Sequence, residues 1–252
     1  MKYFVKENSI VRKIWGNPDT ILFIFAGASA EFALNKAVDW LYFTGRLPAD
    51  PIGRLFSTVA YAKKIVFSEH EDALKAIDQI TAIHKNVEAN RGAKIPDWAY
   101  RDVLYMLIDY SIRAYEVLEQ KMTDDEKAEV FKVFNAVGLR MGINGLPENY
   151  TAWKESRDLH LKMNMAYGAL TADLYKQYRK HLGFIRFAIL KEAQNLITPP
   201  AVKTLLSLKG VRLLLPAIAV YKMCRLFKLE GPIKDLILPT RYKAQILALK
   251  VV

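Results

Sequence analysis

The sequence predicts an all-α protein, a single multi-helix domain over residues 1–252 whose C-terminal part breaks into short helices that pack back onto the rest. Three observations carry this expectation. Apolar residues recur at three-and-four spacing along the chain, and the alternation typical of strands is missing. Helix-start signals recur at Asn17-Pro18, Asp50-Pro51, Ser68/Glu71 and Thr123/Glu126. No internal repeat and no Gly/Ser-rich linker divides the chain, which at 52% hydrophobic content can bury a sizeable core.

The elements follow in order. Asn17 as N-cap with Pro18 at the first helical position opens an apolar helix through Ile21, Phe25, Phe32 and Ala33 toward Tyr42. Asp50 and Pro51 repeat that signal for a helix ending near Phe67. Ser68 and Glu71 have capping-box spacing for the next helix, and Asn90, Gly92 and Pro96 stop it. Asp97 opens a helix with Leu104, Leu107, Ile108, Ser111, Ile112, Tyr115 and Leu118 on one face. Thr123 and Glu126 cap another, which ends at Gly142 and Gly145. A helix after Pro147 is expected to reach about Tyr167, with a long one following through Tyr178. Beyond that, Pro199, Pro200, Pro216, Pro232 and Pro239 cut the chain into short pieces.

Composition narrows the function classes. Formal net charge is +11, and eight of those charges come from residues 203–250, where ten basic residues face Glu230 and Asp235. That segment alternates its charges with leucine and isoleucine and lacks the aromatic or glycine interleaving of a nucleic-acid module, so nucleic acid is not the expected partner. An anionic lipid surface or a carboxylate-bearing cofactor suits it better. Residues 1–15 carry charge throughout without an apolar signal core, and the apolar runs 21–28 and 213–223 are too short to span a membrane. With one cysteine, Cys224, the expected location is a reducing, cytoplasmic one, with peripheral membrane contact through residues 203–250.

His84 is the candidate site residue. It lies on the stripe Ala73, Ile77, Ile80, His84, Val87, among aliphatic neighbours that face inward. An inward imidazole stays neutral and hydrogen-bonded, or it ligates a metal, and the spacing leaves both readings open. His70, His160 and His181 form no zinc-binding pattern with it, and a single cysteine excludes a thiolate cage. If His84 binds iron, a cofactor such as a porphyrin must supply the equatorial ligands.

Arg54 and Thr58 share one helix face in the stretch Arg54-Leu55-Phe56-Ser57-Thr58. Together with His84-Lys85-Asn86-Val87, residues 107–116 and residues 138–147, this stretch resembles the family of the mycophenolate-pathway oxygenase MpaB and the latex-clearing rubber oxygenases, over roughly residues 14–153. The resemblance implies a globin-like helical core holding haem b. It implies that His84 is the proximal iron ligand and that Arg54 and Thr58 are catalytic and cofactor-binding residues on the distal side. The implied reaction uses O2 on an apolar, isoprenoid or lipid-like substrate. Ser57 stands where characterised rubber oxygenases have a lysine, and Ala89 where many relatives have glycine. For the carboxylate base of some members, Asp39 and Glu31 are the candidates.

Other features have plainer readings. Tyr105, Met106, Tyr110, Tyr115, Met141, Met163 and Met165 are core side chains or pocket lining. Asp109 and Arg113 have the spacing of an i,i+4 ion pair, structural if buried and worth little if exposed. Two readings from other classes stay open beside the oxygenase: a haem-binding or gas-sensing protein without turnover, and a peripheral lipid-binding helical protein without iron.

Overall fold

The computed structural model describes residues 2–208 and 214–226. Among them the chain is all-α, as expected, and forms one domain. Two helices make its axis. α2 (Pro18–Leu34) packs most extensively on α7 (Asp97–Leu118), and α10 (Ala169–Ile197) covers the other side of α2. α2 is buried almost all round, which its composition of apolar and small residues permits. The two helices approach tightly at Gly27, where an added Cβ would lie 2.2 Å from Cδ1 of the Tyr110 ring.

The start signals at Asn17 and Asp50 work as read. The Asn17 side chain accepts from the Asp19 amide, and Asp50 accepts from the Gly53 amide at the head of α5 (Pro51–Phe67). Thr123 and Glu126 close a reciprocal capping box on α8 (Asp124–Arg140), and Gly142 and Gly145 end that segment at φ values of 73° and 70°. α7 buries the predicted face, with Leu104, Ile108, Ser111, Ile112, Tyr115 and Leu118 inside.

Several elements differ from the sequence reading. Residues 10–16, read only as a charged N-terminus, form α1 (Ile10–Gly16), whose Trp15 is fully buried and donates from Nε1 to Ser111 Oγ at 3.1 Å. α2 stops at Leu34 and does not reach Tyr42, because Asn35 turns away to bond Asp102 while its backbone bridges to Met165. A separate short helix, α3 (Val38–Phe43), follows, then α4 (Arg46–Ala49). The Ser68/Glu71 box does not form. Glu69 pairs with Tyr3 and the His70 amide donates to the Lys2 carbonyl, so α6 (His70–Arg91) begins only after that bridge, with Ser68 capping the end of α5.

α9 (Tyr150–Met163) ends short of Tyr167, where Asn164 and Ala166 hydrogen-bond back to the Lys36 amide and the Leu34 carbonyl. α10 runs past Tyr178 to Ile197 but breaks at Gly183, whose φ of 74° no L-side chain adopts without strain. α11 (Pro200–Leu205) and α12 (Leu214–Leu226) pack back on the body. Tyr221 Oη donates to Asp19, and Arg225 grips Glu119 at 2.6 and 2.7 Å. Pro232, Pro239 and most of the basic segment 203–250 lie outside the described residues.

The Asp109–Arg113 ion pair forms as its spacing indicates. It closes at 2.6 Å, and Asp109 is buried and shares its other oxygen with Arg157, so the pair is structural. Arg157 also binds both oxygens of the fully buried Glu31, and Tyr110 Oη donates to Glu31 at 2.7 Å. This buried network ties α2, α7 and α9 together.

Candidate functional site

α6 changes its role along its length. Its first half buries Ala73, Ala76 and Ile77 in a core layer with Ile65 and Val137. Its second half turns the same stripe, now His84 and Val87, toward a cleft. The other walls come from the end of α2, α3, the first turn of α5 and the first turns of α7. Phe32, Val38, Leu41, Val87, Ala99 and Val103 make these walls mainly apolar, with Asn35, Arg54, His84 and Tyr100 as polar points.

His84 is half-buried, and its Nδ1 is closed to solvent without a hydrogen bond. The Ile80 carbonyl one turn back lies near enough to favour a proton on the ring, although the contact falls short of bond geometry. Burial first, and the Arg54 charge second, push the imidazole below its ordinary pKa, outweighing the opposing effects of Ile80 and Glu88. The ring is therefore neutral at pH 7, the form that ligates a metal. Tyr100 meets it edge-on at 5.2 Å and donates its hydroxyl to Glu88 at 3.2 Å. Burial and then the Glu88 charge raise the Tyr100 pKa and keep that phenol protonated.

Arg54 joins His84 in lining the cleft. Its Nη1 donates to Ser57 Oγ and to Thr58 Oγ1, each at 3.1 Å, while both hydroxyls donate back to the Arg54 carbonyl. Thr58 does not line the cleft. It stands behind Arg54 and fixes the guanidinium, as does Ser57. The three residues singled out from the sequence thus form one local cluster, two of them at the cleft wall.

The base candidates separate. Glu31 is locked in the core by Arg157 and Tyr110, which leaves no oxygen facing the cleft. Asp39 sits on α3 between the lining residues Val38 and Trp40, and its Oδ2 accepts from Arg91 Nη2 at 2.6 Å. None of Tyr105, Met106, Tyr110, Tyr115, Met141, Met163 and Met165 lines the cleft. Met163 is exposed, and both Tyr105 and Tyr110 are fully buried in the central core.

Sequence reasoning missed four residues. Glu88, four positions after His84 on the same helix face, was within reach of a spacing argument. Tyr100 was not, because α7 must fold against α6 to bring it near. Asn35 faces the cleft and donates to Asp102, which also accepts from Asn164 and pairs with His160 Nδ1, so a buried polar layer lies directly behind the apolar wall. Arg91 clasps α3 from the end of α6, with its guanidinium 4.0 Å above the Trp40 ring and 5.5 Å from that of Phe43.

Among the described residues no cluster of three or more His, Cys, Asp or Glu side chains is arranged to hold a metal ion. A metal held at His84 would need ligands beyond the described side chains, of the kind a porphyrin supplies. The donor set suits haem: a neutral imidazole with an unpartnered buried nitrogen, an arginine for anionic groups, and apolar walls. The cleft holds about 120 Å³, less than the ~300–1,000 Å³ usual for ligand pockets. A tetrapyrrole requires the wall to move outward. The six-residue α3 is the smallest element of that wall and is held to α6 through Arg91.

No helix of the described residues is long and apolar enough to cross a membrane. Comparison with curated proteins and with solved structures finds no match to this chain. Comparison with protein families does find one, covering α2 to α11, most of α1 and nearly all of α12, and including His84, Arg54 and Thr58. Over residues 13–225 the sequence fits the pattern described as "ER-bound oxygenase mpaB/B'/Rubber oxygenase, catalytic domain", and the chain belongs to that oxygenase family.

Proposed function

We propose that this protein is a haem b-dependent oxygenase that uses O2 on an apolar, unsaturated isoprenoid or lipid-like substrate, with His84 as the iron ligand. The observation that carries the proposal is the half-buried His84 ring, neutral and without a hydrogen bond at Nδ1, facing an apolar cleft beside Arg54. When bound, the haem supplies a redox-active iron at which O2 is activated.

The chain's own residues have defined tasks in this reading. A neutral His84 ring would carry its proton on one nitrogen and offer the lone pair of the other to the metal. Arg54 would hold a carboxylate of the cofactor or stabilise negative charge that develops in the cleft. Thr58 and Ser57 hold the guanidinium in one orientation, so it need not reorganise when charge develops. Phe32, Val38, Leu41 and Val103 exclude water and receive an apolar chain. Asp39, beside the cleft and held by Arg91, is the carboxylate best placed to take a proton from a guest there. The basic segment 203–250 supplies peripheral attachment to anionic lipid.

The test is an absorption spectrum of the chain purified with haem supplied. A Soret band is expected, and it should be lost or shifted in His84→Ala with unchanged helical circular dichroism. A chain that folds but gives no such band refutes the cofactor assignment. O2 consumption and product analysis with polyunsaturated substrates then separate turnover from ligand sensing, because a sensor binds O2 without consuming it.

A further inference from the structure

The break in α10 leaves an apolar tip that the core does not use. Gly183 interrupts the helix at φ 74° and ψ 176°, and the next two residues, Phe184 and Ile185, are 74% and 63% exposed. These are large apolar side chains to leave mostly in water. The flanking chain carries a single sign of charge: from residue 174 to residue 191 there is no Asp or Glu, while Lys176, Arg179, Lys180, Arg186 and Lys191 are all basic. Lys176, Arg179, Lys180 and Lys191 are exposed, and the Arg179 guanidinium lies 6.0 Å from the Phe184 ring centroid.

We infer that the Gly183 break is a membrane-docking tip, with Phe184 and Ile185 inserting among lipid acyl chains and the flanking basic residues binding anionic headgroups. Apolar burial and electrostatic attraction add in such contacts, and neither alone anchors a protein firmly. A protein partner is less well matched, since an exposed pair flanked in sequence by lysines and arginines lacks the broad apolar centre of a specific interface. The inner side of the same segment supports a functional link. Phe187 and Leu190 pack on the cluster that contains Val38 and Leu41, two walls of the cleft. Docking through the tip therefore brings the cleft close to the phase in which apolar molecules dissolve. The inference does not rest on the oxygenase reading, and it places lipid contact outside residues 203–250.

The experiment is co-sedimentation of the full chain with vesicles of phosphatidylcholine alone or with one third phosphatidylserine. Binding to the anionic vesicles is expected, weakening with salt, and the partition coefficient should fall roughly tenfold or more in Phe184→Ser/Ile185→Ser. Arg179→Gln/Lys180→Gln should bind more weakly and lose part of the salt dependence. Both pairs are exposed, so helical circular dichroism should stay at the parent value. A dye on Phe184→Cys in a Cys224→Ser background should shift to the blue with vesicles. Unchanged dye emission on sedimented protein assigns the contact to another segment and overturns the inference, as does a failure to bind. Concentration-dependent dimerisation abolished by Phe184→Ser/Ile185→Ser assigns the tip to protein association and also overturns it.

Discussion

Arg91→Ala should speed the loading of the cleft. In the structure Arg91 fastens α3 to α6 by an ion pair with Asp39 at 2.6 Å and by stacking 4.0 Å above Trp40, a lining residue. Asp39 is nearly half-exposed, so the ion pair is worth at most about 1 kcal/mol. A partly exposed cation–π contact contributes about 0.5–1 kcal/mol. Together these favour the closed wall by about 0.7–2 kcal/mol, which corresponds to roughly a three- to thirtyfold change in the open population. If haem enters only when α3 has moved, its association rate should rise by that factor. The assay is stopped-flow mixing of apoprotein with haem, read by tryptophan quenching and by growth of the Soret band. Asp39→Asn keeps the stacking and should give only a few-fold increase. An Arg91→Ala rate within twofold of the parent would show that α3 does not gate the cleft.

Three further outcomes are expected. Arg157→Met leaves the buried Glu31 and Asp109 without their shared cation, which should cost about 3–5 kcal/mol in urea unfolding; a loss below about 1 kcal/mol would mean that water reaches the network. Gly27→Ala forces a Cβ into the Tyr110 ring and should destabilise by about 1–3 kcal/mol, whereas an unchanged urea midpoint would show that α2 and α7 can separate freely. His84 should titrate below ~6.5 in an NMR pH series. Because its folded pKa is lowered, the unfolded chain takes up the proton first as pH falls. The stability that neutral His84 allows is complete above pH ~6.5 and is lost on acidification toward the folded value. His84→Gln should flatten the urea midpoint between pH 7 and pH 5, and an equal slope in both proteins would contradict the assigned shift.

The all-α class, the caps at Asn17, Asp50 and Thr123, and the His84 stripe were legible in the residue order, because capping and helical periodicity are local and depend on neighbours one turn away. The family cluster of Arg54, Thr58 and His84 was legible for a related reason: each motif lies within one helix. What the residue order did not reveal is where helices stop for the sake of distant partners. Asn35 ends α2 because Asp102 and Met165 are there to meet it, and Glu69 delays α6 because Tyr3 pairs with it. Nor did spacing show that Asp109 and Glu31 face a buried arginine 48 and 126 residues away, or that Tyr100 and Arg91 close on the histidine cleft. Local propensity chose the helices and their faces, while packing decided which faces meet, which charges lose their water, and that His84 looks into a cleft and not into filled core.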